Sequence, residues 1–175
     1  MEQNLDPRAL YSISYGLYII GTEWEGALNG QIANTAMQLS SSPVSVSVCL
    51  HKDNLTTELM RKSRKFSVSV LAEDVDMPFI GIFGFRSGRD HDKYAKVPYE
   101  MGSLGLPLVT KHVVADLEAQ VTEIVDVSTH ELFIGTVKSA RTLTSATPLT
   151  YAAYHTLKKG KSPANAPTVI FNSIK

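Results

Sequence analysis

Cysteine is almost missing from this chain, and charge of either sign is not in excess. The 175 residues include one cysteine, Cys49, so an intrachain disulfide and a cysteine-based metal site are both excluded. Lysine and arginine number 17 together, aspartate and glutamate also 17, and the formal net charge is zero. Nucleic acids and anionic membranes favour basic partners. We therefore expect neither of them to be a partner.

Long apolar runs are missing as well. No run approaches the roughly 20 residues needed to cross a bilayer. The N-terminal sequence MEQNLDPRAL lacks the basic-then-apolar order of a signal peptide. Cys49 lies in an apolar stretch, where we expect it to pack as a small hydrophobic residue in a reducing compartment. These features predict a cytoplasmic protein.

The residues that are present indicate a mainly β protein. The length predicts one domain over residues 1–175, with 158–175 as a flexible C-terminal tail. Strands are expected in the segments rich in β-branched and aromatic residues, which are 15–22, 27–37, 44–50, 66–71, 112–126, 131–143 and 168–174. Short helices are expected near 6–10, 55–63 and 77–85. Because no alternating βαβ order appears, we predict an antiparallel barrel with short helices packed outside it.

The most informative stretch runs from Asn29 to Leu71. Within it a polar strand precedes a Ser-rich turn, and the apolar strand 44–50 then empties into His51-Lys52-Asp53-Asn54. Here a helix is predicted to begin, with Asn54 as its N-cap. First-turn N–H groups carry partial positive charge and lack intrahelical partners, and Lys52 adds a full charge. The pattern is typical of a phosphate site, although an ordinary capped helix would look the same.

At this point the motifs resemble a known family. The polar strand with Asn-Thr, the segment HKDNLTTEL, the strand FSVSVL, the charged loop SGRDHDKY and the late HELFIGTV occur in an order that is similar to the flavin reductase-like family, the FMN-binding split barrels. Within that family the chain resembles flavoredoxins and the flavin domain of high-molecular-weight rubredoxins, from about Leu10 to Pro167. The resemblance implies a six-stranded antiparallel Greek-key split barrel, a homodimer, and FMN bound near the dimer interface.

The resemblance also implies which residues hold the cofactor. The phosphate would lie at the strand end and helix start, formed by His51, Lys52, Asn54, Leu55 and Thr56. The isoalloxazine ring would lie along the polar strand, on Asn29, Gly30, Ala33, Asn34, Thr35 and Ala36. The charged loop would add Ser87, Gly88, Arg89 and Lys93 near the phosphate and ribityl chain. Simple helix capping, a solvated strand face and a solvated loop are the corresponding structural alternatives.

Two residues are predicted to be catalytic. Thr35 would place a hydroxyl or backbone N–H near the flavin N5, and His130 would assist nicotinamide binding. Flavin reductases of this family often carry the sequence Gly-Asp-His before the penultimate strand. At the matching positions this chain has Ser128-Thr129-His130. A turn histidine is also commonly just solvent-exposed. The aromatic residues Trp24, Tyr151, Tyr154 and His155 could cover a flavin or simply pack against the barrel or another subunit.

Three functions remain open on this basis. The first is an FMN-dependent oxidoreductase that oxidises NADH or NADPH and passes electrons to a flavin or a redox protein. The second is a flavoredoxin-type electron carrier that a partner such as a rubredoxin or ferredoxin reduces, which the altered Ser128-Thr129 pair favours. The third is a non-enzymatic flavin-binding protein. None of these requires a metal ion held by this chain.

Overall fold

The computed structural model describes residues 6–163 and 165–168. Its nine strands are Tyr18–Trp24 (β1), Ala27–Ala33 (β2), Ala36–Ser41 (β3), Val44–His51 (β4), Lys65–Leu71 (β5), Tyr99–Met101 (β6), Pro107–Val109 (β7), Val113–Val127 (β8) and His130–Thr142 (β9). The helices are a 3₁₀ helix at Pro7–Ser12 and the α-helices Leu55–Ser63 (α1), Met77–Gly84 (α2) and Tyr151–Thr156 (α3). The prediction of a mainly β antiparallel fold with short helices is confirmed. The last predicted strand, 168–174, lies almost wholly outside the described residues.

Seven strands form the main sheet in the order β2-β1-β5-β8-β9-β4-β3, and every neighbouring pair is antiparallel. The edge strands β2 and β3 are consecutive in the chain, separated only by Asn34 and Thr35. A polar strand that runs from one edge to the other forces the sheet to curl. Counting β2 and β3 as one bent strand gives the six strands that the family resemblance implies.

The bend closes against β4. The Thr35 hydroxyl donates to the Cys49 carbonyl at 2.8 Å, and the Cys49 N–H donates to the Thr35 carbonyl at 3.1 Å. These bonds satisfy backbone groups that would otherwise be left without partners where the strand changes sheet edge. The bend therefore places the end of β2 beside the end of β4, where α1 begins.

Two hydrophobic clusters stabilise the barrel. Side chains alternate across a strand, and on β1 Ile20 joins one cluster with Phe66 and Phe133 while Ile19 joins the other with Phe83. The first cluster also holds Met60 of α1, and the second holds the apolar residues of α2 and α3. Both helical layers are thus anchored to the sheet by burial, at roughly 25 cal/mol per Å² of apolar surface.

Helix α1 has the bounds that the sequence predicts. It begins after Asn54 and ends at Arg64, whose φ of 56° is left-handed and whose N–H donates to the Met60 carbonyl at 3.0 Å. Leu59 and Met60 form its buried face. Within residues 6–163 and 165–168, no helix is both long enough and apolar enough to cross a membrane.

Candidate functional site

A cavity of about 480 Å³ opens between the end of β2, the β4–α1 turn, the loop after α2 and the segment after α3. Its volume falls in the range of roughly 300–1,000 Å³ that is typical of small-molecule sites. Most of the predicted site residues line it: Asn29, Ala33, Asn34, His51, Asn54, Leu55, Thr56, Ser87, Gly88, Arg89 and Lys93. Whether they bind a flavin stays a prediction, but the fold brings them to one place.

Five predicted residues do not line the cavity: Gly30, Thr35, Ala36, Lys52 and His130. Each has a structural reason. Gly30 points to the other face of β2, where an added Cβ would lie 2.6 Å from the Tyr94 hydroxyl. Ala36 packs beside the barrel core, and the Lys52 ammonium pairs with Asp126 at 2.5 Å.

Thr35 directs its side chain away from the cavity. Its hydroxyl hydrogen is committed to the Cys49 carbonyl. The hydroxyl that was predicted to lie near the flavin N5 is therefore engaged in the bend between β2 and β3. The sequence could not show this, because the direction of the side chain depends on where the polar strand bends.

The first turn of α1 forms one wall. Asn54 occupies the N-cap position, as predicted, but its side chain makes no capping hydrogen bond. Instead, the Asn54 side-chain oxygen accepts from the Asn165 amide at 3.1 Å. The Thr56 hydroxyl accepts from the Asn29 amide at 2.8 Å, which ties α1 to β2. Asn54 therefore leaves the N–H groups of the first turn uncapped, and such groups favour an anion.

Lys93 is the most unusual group in the wall. The residue is buried, with 7% of its surface exposed. Its ammonium donates to the Gly30 carbonyl at 2.8 Å and the Phe83 carbonyl at 3.3 Å. No carboxylate among the described residues forms an ion pair with it. Burial lowers its pKa from 10.5 to about 8. An ammonium has three donors, so one remains for a cavity ligand.

The charged loop is held close to β2. The backbone of Gly88 adopts no positive φ angle. Glycine is required there for space, since an added Cβ would lie 2.0 Å from the Asn29 side-chain oxygen. Arg89 pairs with Glu58 of α1 at 3.1 Å and carries its charge at the exposed rim.

Two histidines lie at the end of β4 and at the start of β9. His51 and His130 face each other across β4 and β9, with ring centroids 5.0 Å apart. His130 is buried, not solvent-exposed, and its Nδ1 is 2.8 Å from the Thr129 hydroxyl. Burial and the neighbouring His51 lower the pKa of His130, while the Asn165 backbone partly opposes that shift. At neutral pH His130 is therefore uncharged.

Several cavity residues were not predicted. They include Gln31, Cys49, Phe85, Arg86 and residues 161–163 and 165–167. Cys49 is half-buried on the cavity face of β4, outside the core in which we expected it, and burial raises the pKa of its thiol. The alternation of Ser47, Cys49 and His51 against Val48 and Leu50 was the signal that could have placed it. Tyr151 and Tyr154 both pack in the core and line the cavity.

Metal binding finds no support in this part of the chain. Among the described residues, no three histidine, cysteine, aspartate or glutamate side chains gather where they could hold one ion. The lining instead combines amides, N–H groups, cations and aromatic rings. Such a set suits a planar polar ring that carries an anionic group.

Known proteins with similar sequences belong to a flavin-related family, in agreement with a cavity that suits a planar polar ring. The model of the Flavin reductase like domain matches residues 10–158. The chain is 50% identical over 169 residues to the Ferric-chelate reductase (NAD(P)H) of Archaeoglobus fulgidus, covering 97% of this chain and 99% of that protein. It is 44% identical over 164 residues to the High molecular weight rubredoxin of Moorella thermoacetica, covering 94% of this chain and 72% of that protein.

A solved structure supports the same relationship. The FMN-binding protein from Thermus thermophilus with bound p-hydroxybenzaldehyde superimposes with a TM-score of 0.71 at 25% identity. The match covers 81% of this chain and 79% of that one.

Proposed function

The chain belongs to the family of the Flavin reductase like domain and is a flavin reductase-like oxidoreductase, and we propose that it binds FMN and moves electrons from NADH or NADPH through that flavin to an acceptor. Bound FMN would supply the chemistry, because it accepts a hydride at N5 and releases electrons singly. The protein would supply binding, orientation and charge.

The observation that carries this proposal is Lys93. A buried ammonium that faces a cavity without a carboxylate partner is costly unless a ligand supplies the missing negative charge. The open first turn of α1, which begins at Leu55, offers N–H donors to the same cavity. Together these groups would hold the phosphate and an electron-rich edge of the ring. The Asn29 amide, fixed by Thr56, would meet the polar ring edge.

FMN is favoured as the flavin because the FMN-binding protein of Thermus thermophilus shares the fold at 25% identity. The cavity of about 480 Å³ has the volume of a small-molecule site. The proposed phosphate and ring residues are those of the cavity wall described above. Lys52 and Ala36 are less direct participants, since neither lines the cavity.

For the electron donor we propose a reduced nicotinamide. The support is that NAD(P)H stands in the name of the 50% identical Archaeoglobus protein. Neutral His130, packed on His51, would position His51 at the cavity wall while excluding water from this corner. An anaerobic titration with each nucleotide measures the preference between NADH and NADPH.

A second candidate is an electron carrier of the flavoredoxin type, reduced by a partner redox protein. The Ser128-Thr129 pair that precedes His130 favours it, as does the 44% identity to the High molecular weight rubredoxin of Moorella thermoacetica. The third possibility, a non-enzymatic flavin protein, loses support because the family is one of oxidoreductases. As acceptors we propose a free flavin or a redox protein, and a ferric chelate joins them because of the Archaeoglobus relative.

The test is an anaerobic titration of the FMN-loaded protein with NADH and then NADPH, followed by the visible flavin absorbance. We expect bleaching by at least one nicotinamide and reoxidation by one of the three acceptors. If the flavin stays oxidised with both nicotinamides but is bleached by a reduced ferredoxin or rubredoxin, the electron-carrier function replaces the proposed one.

A matched pair of variants sharpens that test. His130→Gln removes the buried imidazole, and His91→Gln removes an exposed histidine of the charged loop. Under the proposal the first slows bleaching by nicotinamide without weakening FMN binding, and the second changes neither. If nicotinamide bleaches the flavin at the same rate in the two variants, His130 has no role in the reduction.

We also propose a homodimer in the cytoplasm. Edge strand β3 exposes Met37 and Leu39, at 61% and 42% of their surface, and an open apolar edge is suited to pairing with another chain. The zero net charge adds no long-range repulsion. Sedimentation equilibrium should give twice the 19.1 kDa chain mass, and Met37→Lys should shift the equilibrium toward the monomer.

A further inference from the structure

The segment after α3 encloses one side of the cavity, although it lies beyond the family domain. The domain model ends at residue 158. Residues 161–163 and 165–167 nevertheless line the cavity. We call residues 161–163 and 165–168 the closing segment. The described residues of this segment are tied to the barrel by specific hydrogen bonds.

Two of these bonds reach the elements that form the proposed flavin site. The Asn165 amide donates to the side-chain oxygen of Asn54, the N-cap of α1, at 3.1 Å. The Asn34 amide, at the end of β2, donates to the Thr168 hydroxyl at 3.1 Å. The closing segment therefore runs from the proposed phosphate end of the cavity to its proposed ring end.

Helix α3 provides a firm base for the segment. Tyr151 and Tyr154 are buried in the core. The Tyr151 hydroxyl is hydrogen-bonded to the hydroxyls of Ser162 and Thr168, and the Tyr154 hydroxyl donates to the Lys161 carbonyl at 3.0 Å. The same two tyrosines also line the cavity. A change that weakens the bonds of the segment therefore also affects the two tyrosines that line the cavity.

The segment itself contributes little to the core. Its described side chains are exposed or half-buried, and none belongs to either hydrophobic cluster. Polar bonds, not apolar burial, hold it in place. Weakening those bonds should open the cavity without unfolding the barrel, because the stability of the barrel comes from its buried apolar residues.

We propose that the closing segment makes FMN a resident prosthetic group of this protein, in contrast to a flavin that exchanges as a substrate. The inference rests on the proposed function, since it concerns the same cavity. The bonds to Asn54 and Asn34 hold the segment across this side of the cavity, so the segment acts mainly on the rate at which a bound ligand is released. Asn165 is the positioning residue, because it holds the N-cap residue of the phosphate-binding helix.

The experiment compares full-length proteins in which the hydrogen bonds of Ser162 and Asn165 are removed or kept. One carries both Ser162→Ala and Asn165→Ala, and the control carries Ser145→Ala, which removes an exposed serine that makes no hydrogen bond with a described residue. FMN affinity is measured from the quenching of flavin fluorescence, and release from the recovery of fluorescence after dilution. Thermal unfolding of each apoprotein checks that the barrel is intact.

We expect the wild type and the Ser145→Ala control to retain FMN through repeated gel filtration. The double variant should bind FMN about tenfold more weakly and release it faster, the size expected from losing two hydrogen bonds. Trypsin gives an independent reading, because FMN should protect the bond after Lys161 in the wild type and protect it less in the double variant.

Unchanged affinity and release in the double variant, together with trypsin cleavage that FMN does not slow, would overturn the inference while leaving the proposed function intact. A wild type that loses FMN as readily as the double variant would also overturn it. A wild type that binds no FMN at all would overturn the proposed function as well.

Discussion

Glu118 and Lys93 are both buried charges without an ion-pair partner among the described residues, but the protein treats them differently. Glu118, on β8, is 1% exposed and accepts from the Ser103 N–H, the Ser103 hydroxyl and the Leu104 N–H at 2.7–2.8 Å. Its loop closes so tightly that a Cβ on Gly102 would lie 2.4 Å from the carboxylate. No space for a ligand is left there.

Lys93 has a similar burial and a different setting. Its ammonium meets two carbonyl oxygens and faces the cavity. A buried charge has a structural role where the protein itself provides all of its hydrogen-bond partners. A buried charge indicates a ligand site where some of those partners are missing and a cavity lies beside the charged group.

The largest effect on stability is expected at the satisfied charge. Glu118→Ala removes the acceptor of three hydrogen bonds and should lower the free energy of unfolding by about 3 kcal/mol, because bonds to a charged group are the strong ones. Urea denaturation of the apoprotein measures this change. FMN affinity should be unchanged, and a loss of affinity without a loss of stability would reverse the roles assigned to the two charges.

The largest effect on binding is expected at the unsatisfied charge. Lys93→Met keeps most of the side-chain volume and removes the ammonium, so FMN affinity should fall about 10- to 100-fold. The apoprotein should be as stable as the wild type or more stable, since an uncompensated buried cation is removed.

Lys96→Met is the matched control for that variant, because Lys96 lies exposed in the same loop. It should leave both stability and affinity unchanged. Equal losses of affinity in the two variants would mean that net charge, not the placement of Lys93, governs binding.

The pH dependence of binding separates the two charges further. The pKa of Lys93 in the folded protein is about 8, below its ordinary 10.5, so the ammonium loses its proton as the pH rises past 8. FMN affinity should therefore fall between about pH 7 and pH 9.5. Burial of the protonated form opposes folding, so the stability of the apoprotein should rise with pH from about 8 toward 10.5.

These opposite trends are measured by fluorescence titration and by urea denaturation at each pH. Both should disappear in Lys93→Met. An affinity that stays flat across pH 8 in the wild type would show that the ammonium does not contact the bound cofactor.

The smallest effect on stability is expected at the N-cap of α1. Asn54→Ala should change the free energy of unfolding by less than about 0.5 kcal/mol, because the side chain makes no capping bond. Asp76→Ala is the comparison, since Asp76 caps α2 by accepting from the Phe79 N–H at 2.8 Å, and its loss should cost about 1 kcal/mol. Equal costs, measured by urea denaturation, would mean that Asn54 also caps its helix.

The sequence was sufficient for those parts of the site that are continuous in the chain. Local propensity and hydrophobic period predict the bounds of α1 from Leu55 to Ser63, and the run from Asn29 to Thr56 predicts one cavity wall. The bend at Asn34-Thr35 was not predictable in the same way, because it is imposed by closure of the barrel.

The other walls depend on long-range contacts. Lys52 looks like a phosphate ligand in the sequence, yet it meets Asp126, 74 residues away. The closing segment is polar and rich in small residues, which is typical of a flexible tail, and only its bonds to Asn54, Asn34 and the α3 tyrosines give it a place. The residues that neighbour a position in the sequence do not predict hydrogen-bond partners that are distant in the chain.

The most direct test of the account is the position of bound FMN in a crystal structure of the cofactor-loaded protein. We expect the flavin in the cavity, with its phosphate at the first turn of α1 and the Lys93 ammonium within hydrogen-bond distance of the cofactor. FMN bound elsewhere on the barrel, with this cavity filled only by water, would contradict the central claim.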